Sequence, residues 1–292
     1  MVFDSKSEAA KKIEVGASIG YGQYISSLSF ENKDQKAVEG ITNTNQKYYN
    51  FGLELNDFDL QTKLQYNDPS ESLKSRVDTR FESYQLSYKA SEKMKFEIYY
   101  QNIKSFYLEN RTTLGITEKF NNVSILRSGI LFNYLTNEKH KSPSIDSIVY
   151  KRSDWSSSWI FGAGINNFKI DGLSDFDPIL NPDSGDQILS SKAIGIDGRI
   201  AGSTLWHGKN WFAGGSLGLA YSINQYKNRG PQTVSTETKN SVNSQVTLSA
   251  GYIWKKFLIG SYISINSFNY EIQKYQIRYA SGASVLYASY QF

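Results

Sequence analysis

Over long stretches of this chain every second residue is apolar or aromatic, and the residues between them are small or polar. A two-residue period is the pattern of a β-strand with one apolar face, because successive side chains leave opposite sides of the pleat. The first run places Ile13, Val15, Ala17, Ile19 and Tyr21 on one face and Glu14, Gly16, Ser18 and Gly20 on the other. Tyr49, Phe51, Leu53 and Leu55 follow, then Leu60, Thr62, Leu64 and Tyr66, then Tyr84, Leu86 and Tyr88, then Met94, Phe96, Ile98 and Tyr100, and a sixth run with Leu126, Ile130, Phe132 and Tyr134. The second half resumes with Trp159, Phe161, Ala163 and Ile165. Ile194 to Trp206, Trp211 to Ile223, Val246 to Trp254, Phe257 to Ile265 and Leu286 to Phe292 complete about twelve segments.

The connections alternate in length. Short ones fall near 56 to 59, 90 to 93, 207 to 210 and 255 to 256; long polar ones fall near 27 to 45, 67 to 80, 103 to 121, 169 to 191 and 226 to 241. A soluble sandwich has no reason to alternate so regularly, whereas a transmembrane barrel has short turns at one end and long loops at the other. No segment approaches 18 consecutive apolar residues, so a transmembrane helix is excluded, while a barrel needs only one apolar face per strand. The reading is an all-β, antiparallel up-and-down transmembrane β-barrel of about twelve strands covering 13–292, with residues 1–12 as a periplasmic N-terminal segment whose signal peptide is absent or removed. Residues 136 to 154 fit no strand and stay unplaced.

That orientation sorts the aromatic residues into two levels. Tyr88, Tyr134, Trp206, Trp211, Tyr252, Trp254, Phe257, Tyr290 and Phe292 lie toward the short turns, and Tyr21, Tyr49, Tyr66, Tyr84, Tyr100 and Tyr221 toward the long loops. Amphipathic rings collect in this way at the two membrane interfaces. The ending Tyr290-Gln291-Phe292 resembles the last strand of bacterial outer-membrane barrels. The resemblance implies integral outer-membrane localisation and makes Tyr290 and Phe292 the signal read by the barrel-insertion machinery. Outer-membrane lipid and lipopolysaccharide are then the surroundings of a monomer.

Residues 81 to 109 resemble, more particularly, an uncharacterised outer-membrane family known mainly from Bacteroidetes-type bacteria. The likeness rests on Phe81, Tyr84, Leu86 and Tyr88 on one strand, Tyr99-Tyr100-Gln101, and Lys104-Ser105-Phe106-Tyr107-Leu108-Glu109. The family's second motif is approximated only by Ser156-Ser157-Ser158 before Trp159. It implies architecture and supplies no mechanism.

The polar faces carry charges of both signs: Glu14, Glu54, Lys63, Lys95, Glu97, Arg127, Asp197 and Arg199. Charges that face an interior must be paired or wet. Glu54 with Lys63 and Lys95 with Glu97 are candidate pairs. A wet lumen makes a narrow passive channel for small polar solutes, while full pairing makes a closed barrel that works as a surface-exposed interaction or envelope protein.

An outer-leaflet lipid hydrolase needs a base near the loops. Both histidines, His140 and His207, fall in connections assigned to the opposite end, so the chain reads as a non-enzyme without a catalytic set. Asp171, Asp175, Asp177, Asp183 and Asp186 form an acidic loop that is a weak cation candidate and more simply a solvated surface. No motif calls for a cofactor. The net charge of +4 is too small and dispersed for nucleic acid, and with no cysteine there is neither disulfide nor thiolate.

Overall fold

The computed structural model describes residues 13–32, 35–67, 80–111, 117–136, 154–208, 210–229, 234–272 and 275–291. They form twelve strands: β1 (Ile13–Asn32), β2 (Gln35–Leu55), β3 (Phe58–Asn67), β4 (Arg80–Lys89), β5 (Met94–Arg111), β6 (Thr117–Leu135), β7 (Asp154–Asp171), β8 (Ser190–His207), β9 (Trp211–Arg229), β10 (Val234–Trp254), β11 (Phe257–Ile272) and β12 (Tyr275–Gln291). Each strand pairs antiparallel with its sequence neighbours, and β1 pairs with β12, so the sheet closes on itself with no edge.

The register fixes the shape. Stepping between paired residues from Glu14 through Glu54, Asp59, Ser87, Glu97, Leu131, Gly164, Asp197, Ser222, Ser241, Tyr270 and Ile277 returns to β1 at Phe30, sixteen residues further along. Strand number, stagger and tilt are linked, and this stagger on twelve strands gives a tilt of about 45° and a backbone radius of about 12 Å. At that tilt each residue climbs roughly 2.3 Å along the axis, and each step to the next strand climbs roughly 3 Å more.

The stagger puts the aromatic residues at their levels. Trp206, Trp211, Tyr252, Trp254, Phe257 and Tyr290 fall within roughly 6 Å of one another in height, with Tyr88 and Tyr134 a little above. Tyr21, Tyr49, Tyr66, Tyr84, Tyr100 and Tyr221 form the second level about 15–20 Å higher. Trp155, absent from the sequence-based strands, joins the lower level at 67% exposure. Rings of adjacent strands touch within each level, as in Trp211–Tyr252, Phe257–Tyr290 and Tyr49–Tyr66. Ile, Leu and Val side chains on the same outward faces are exposed between the levels, an apolar band that only a bilayer can cover.

Two sequence expectations change. Segments 27 to 45, 103 to 121 and 226 to 241, expected as long loops, are mostly strand: β1 and β2 stay paired to Asn32 and Gln35, β5 and β6 to Arg111 and Thr117, β9 and β10 to Arg229 and Val234. Above the bilayer a paired ribbon needs no apolar face, so the two-residue apolar signal ends while the backbone ladder continues. By contrast, residues 137–153 join β6 to β7 at the short-turn end and break the rule of short turns there; they lie outside the described residues.

At two other short turns the chain reverses in two residues, between Leu55 and Phe58 and between Trp254 and Phe257, with Asn56 and Lys255 at positive φ (54° and 57°). β3 and β4 span only 10 residues each, against 16 to 21 for the other strands. Their neighbours β2 and β5 approach each other, which two intervening strands forbid at lower heights, so they meet beyond the ends of β3 and β4.

The band makes a contrast that can be measured. Leu286 (71% exposed) lies at mid-band and Val234 (61%) near the far end of β10. Leu286→Arg is expected to cost about 2–4 kcal/mol of folding free energy in lipid vesicles, and Val234→Arg close to nothing. Denaturant titrations of the two variants in vesicles check this.

Candidate functional site

The inner face of the barrel is where the chain places its charges, and packing there follows one rule: large side chains lie across the glycines of the next strand. Gly162 on β7 stands in register between Asn133 on β6 and Arg199 on β8. A Cβ at Gly162 would sit 2.6 Å from Asn133 Oδ1 and 2.7 Å from Arg199 Cγ. Arg199 therefore crosses over Gly162. Its Nε donates to Asn133 Oδ1 at 2.8 Å and its Nη2 reaches Glu97 Oε2 on β5 at 3.2 Å. Asn133 Nδ2 donates to the same carboxylate at 3.3 Å. Glu97 is thus a buried carboxylate with a cation and a neutral donor, the condition under which such a charge is tolerated.

Tyr99 uses Gly129 in the same way, its ring edge 2.8 Å from where a Cβ would stand. Its hydroxyl donates to Asp197 Oδ2 on β8 at 3.4 Å. Asn166 Nδ2 and Ser222 Oγ donate to the other oxygen of Asp197. Asp197, 4% exposed, is held by three neutral donors from β5, β7 and β9.

At about the height of Asp197, Arg127 reaches from β6 to the opposite wall. Its guanidinium lies 5.2 Å from the centroid of Phe268 on β11, five strands away. The cation–π contact makes a bar across the lumen. Beside it a void of ≈ 20 Å³ is lined by Asn166, Phe168, Ser222, Asn224 and Tyr226 among others, room for a water. Tyr24 and Tyr279 join hydroxyls near the same level.

Below the bar the interior has two characters. On one side Leu205, Phe212, Leu258, Tyr287, Val285 and Tyr48 form a buried apolar cluster from β8 round to β2. On the other side the wall is polar and accessible: Asn50, Gln61, Gln85 and Gln101 are half-buried, and Lys63 is exposed although it points inward. Gln245, inward on β10, is also exposed. Between them β8 and β9 present Ala201, Ser203, Ser216 and Gly218, side chains too small to fill the space.

The structure brings Glu97 with Arg199 and Lys95 with Asp59 (3.7 Å), so the expected Lys95–Glu97 pair is replaced by two pairs to other strands. Glu54 stands opposite Asp59 while Lys63 stands opposite Asn50, four rungs away, so the ladder does not set the expected Glu54–Lys63 pair side by side. For Glu14 the description extends to its backbone, opposite Glu54. Asp171 ends β7 in an ion pair with Lys169; Asp175, Asp177, Asp183 and Asp186 lie outside the described residues, and no group of metal-ligating side chains occurs among the described ones. His207 ends β8 at the short-turn end and His140 lies outside the described residues. Tyr290 packs on Phe257, with ring centroids 4.8 Å apart; Phe292 lies outside the described residues.

Sequence reasoning missed Tyr99, Asn133, Asn166, Ser222, Gln245 and Phe268. Their inward parity was legible, but the partners of each depend on the stagger of the whole barrel.

No family model matches the chain, so the resemblance to the Bacteroidetes-type family is not confirmed, and no curated protein matches either. Solved structures similar to it are bacterial outer-membrane barrels. The outer-membrane protease OmpT from Escherichia coli shares 8% identity, with 96% of this chain and 97% of that one covered at a TM-score of 0.42. The translocator domain of the autotransporter NalP from Neisseria meningitidis shares 11%, covering 98% and 90% at 0.46. The Pseudomonas putida toluene transporter TodX shares 8%, covering 94% and 89% at 0.37. These likenesses concern the barrel architecture.

Arg199→Ala strands Glu97, and the expected loss is about 2–4 kcal/mol, below the value for a fully buried pair because Arg199 keeps 25% of its side chain exposed. Gly162→Leu displaces the same guanidinium and should move stability in the same direction. Replacing both charges together, Glu97→Gln with Arg199→Met, should recover most of the loss in urea titrations.

Proposed function

We propose that the protein is an integral outer-membrane barrel acting as a narrow passive channel for small polar solutes, with the short turns in the periplasm and the long connections outside. The observation that carries this reading is the pair Lys63 and Gln245: both point inward, from walls five strands apart, at about the height of the upper aromatic level, and both are exposed. A lumen that water enters to that level from the long-loop side suits passage of hydrated solutes. At twelve strands a barrel lies between those filled by side chains and those with an open channel, so the lining decides the bore.

The lining assigns roles. Gln61, Gln85, Gln101 and Lys63 offer donors and acceptors to a solute, while Arg127 and the acidic Asp197 set a mixed-charge constriction above them. Arg127 is the narrowest element, held on Phe268 by a contact worth about 0.5–2 kcal/mol, weak enough to swing aside on thermal motion. The Asp197 acceptors are already occupied, so that carboxylate acts as fixed charge.

A second reading has its own support. The apolar cluster and the Arg127 bar also suit a barrel closed at rest whose work is done by the extracellular ribbons of β1–β2, β5–β6 and β9–β10. Neither reading uses a catalytic set.

Planar bilayers separate them. The channel predicts discrete conductance from purified, folded protein. Arg127→Ala is expected to raise conductance and shift selectivity toward cations, and Lys63→Gln to shift it the same way with little change in size. Silence from the wild-type protein, with conductance appearing only in Arg127→Ala, supports the closed barrel. Silence from both contradicts the channel.

A further inference from the structure

One row of the outer surface is electrostatically unfavourable as it stands. Lys169 on β7, Lys192 on β8 and Lys227 on β9 are direct partners in the ladder, Lys169 opposite Lys192 and Lys192 opposite Lys227. All three point outward, since their strand neighbours Phe168, Ile170, Ser191, Ala193, Tyr226 and Asn228 are the buried, inward ones. Lys192 and Lys227 are exposed, and Lys169 keeps 37% of its side chain exposed. Directly opposite side chains in an antiparallel ladder have Cβ atoms about 4.5–5.5 Å apart, and like charges in that position repel.

The row above adds Arg229, with Asp171 and Ser190 as its ladder companions. Asp171 pairs with Lys169 and is the one described carboxylate in these two rows of β7 to β9. Four cations therefore face one anion. On the next strand the row continues with Thr236 and Val234, so β10 supplies no counter-charge.

The height of this row identifies what meets it. Two residues below Lys192 is Ile194, 67% exposed, and four below Lys227 is Ile223, 50% exposed, the top of the apolar band. Lys227 is six residues beyond Tyr221 of the upper aromatic level, roughly 14 Å higher, so the row stands past the end of the hydrocarbon on the long-loop side. An ammonium on a flexible stem at that level sits among lipid headgroups.

We propose that Lys169, Lys192, Lys227 and Arg229 form a binding site for the phosphate groups of phosphorylated glycolipid in the outer leaflet. One or two phosphates lying across the strands neutralise the row, while the acyl chains run down over Ile194, Ile196 and Ile223. The backbone ladder fixes the spacing of the cations, so the site is preorganised by the barrel. The inference rests on the outer-membrane placement with long connections outward and does not require that the lumen conduct.

The test reconstitutes full-length wild-type protein and the variant Lys169→Gln/Lys192→Gln/Lys227→Gln in two kinds of vesicle, phosphatidylcholine alone and phosphatidylcholine with lipid A, and follows unfolding by denaturant and co-purifying lipid by mass spectrometry. Retention of lipid A should fall about five-fold for each lysine removed. The variant should be at least as stable as wild type in phosphatidylcholine, where the repulsion is relieved, and less stable with lipid A. That change of sign is something a merely structural role for the lysines would not produce.

Equal lipid A retention by the two proteins, or loss of stability by the variant in both vesicles, overturns the proposal. Inorganic phosphate added to phosphatidylcholine vesicles should not restore the lipid A effect; if it does, the site takes free phosphate and the lipid assignment fails. Single-channel recordings of the same variant should match wild type, so a silent wild-type barrel that still retains lipid A would remove the channel and leave this site standing.

Discussion

Everything in this molecule depends on closing the β1–β12 ladder with a stagger of sixteen residues. In hydrocarbon an unpaired strand edge leaves a row of N–H and C=O groups without partners, each costing several kcal/mol, so the sheet must close. Closure with this stagger tilts the strands by about 45° and sets the radius near 12 Å. It also lines up the aromatic levels outside and the crossing of Arg127 to Phe268 inside.

The interior then faces a packing problem. A circular section of that radius would keep walls five strands apart by roughly 23 Å, more than Arg127 and Phe268 span between them, so their contact shows the section flattened at that level. The chain uses glycine on inward positions as seats, so that Arg199 lies over Gly162 and Tyr99 over Gly129, and hydrogen bonds run along the wall. Lys63 and Gln245, inward and exposed at once, mark where side chains held along the wall leave space between them. The apolar cluster uses the same device, with Phe212 lying over Gly251, Tyr287 over Gly260 and Leu205 over Gly214, and there the wall thickens.

Much of this was legible in the sequence, and the reason is the two-residue period. Which side each residue takes follows from parity alone, so the inward placement of Glu97, Arg127, Asp197 and Arg199 and the outward placement of the aromatic levels could be read directly. Pairing could not, because Glu97 and Arg199 are 102 residues apart and meet only after three strands of stagger. Neighbours in sequence such as Lys95 and Glu97 were a poor guide for the same reason. The ends of the strands were equally hidden: once a ribbon leaves the bilayer, the parity that carried Ile19, Tyr21 and Ile25 continues with Ser27, Ser29 and Glu31, so the outward apolar signal stops although the backbone stays paired. The row Lys169, Lys192 and Lys227 is visible only when the ladder is known.

Because the chain contains no cysteine, the proposed water-filled interior can be probed by introducing one thiol at a time. Lys63→Cys, Gln245→Cys and Leu286→Cys, each folded into lipid vesicles, would be exposed to a small charged thiol reagent that does not cross hydrocarbon. The account predicts rapid labelling at 63 and 245 and protection at 286. Protection of 63 and 245 in barrels shown to be folded would contradict it.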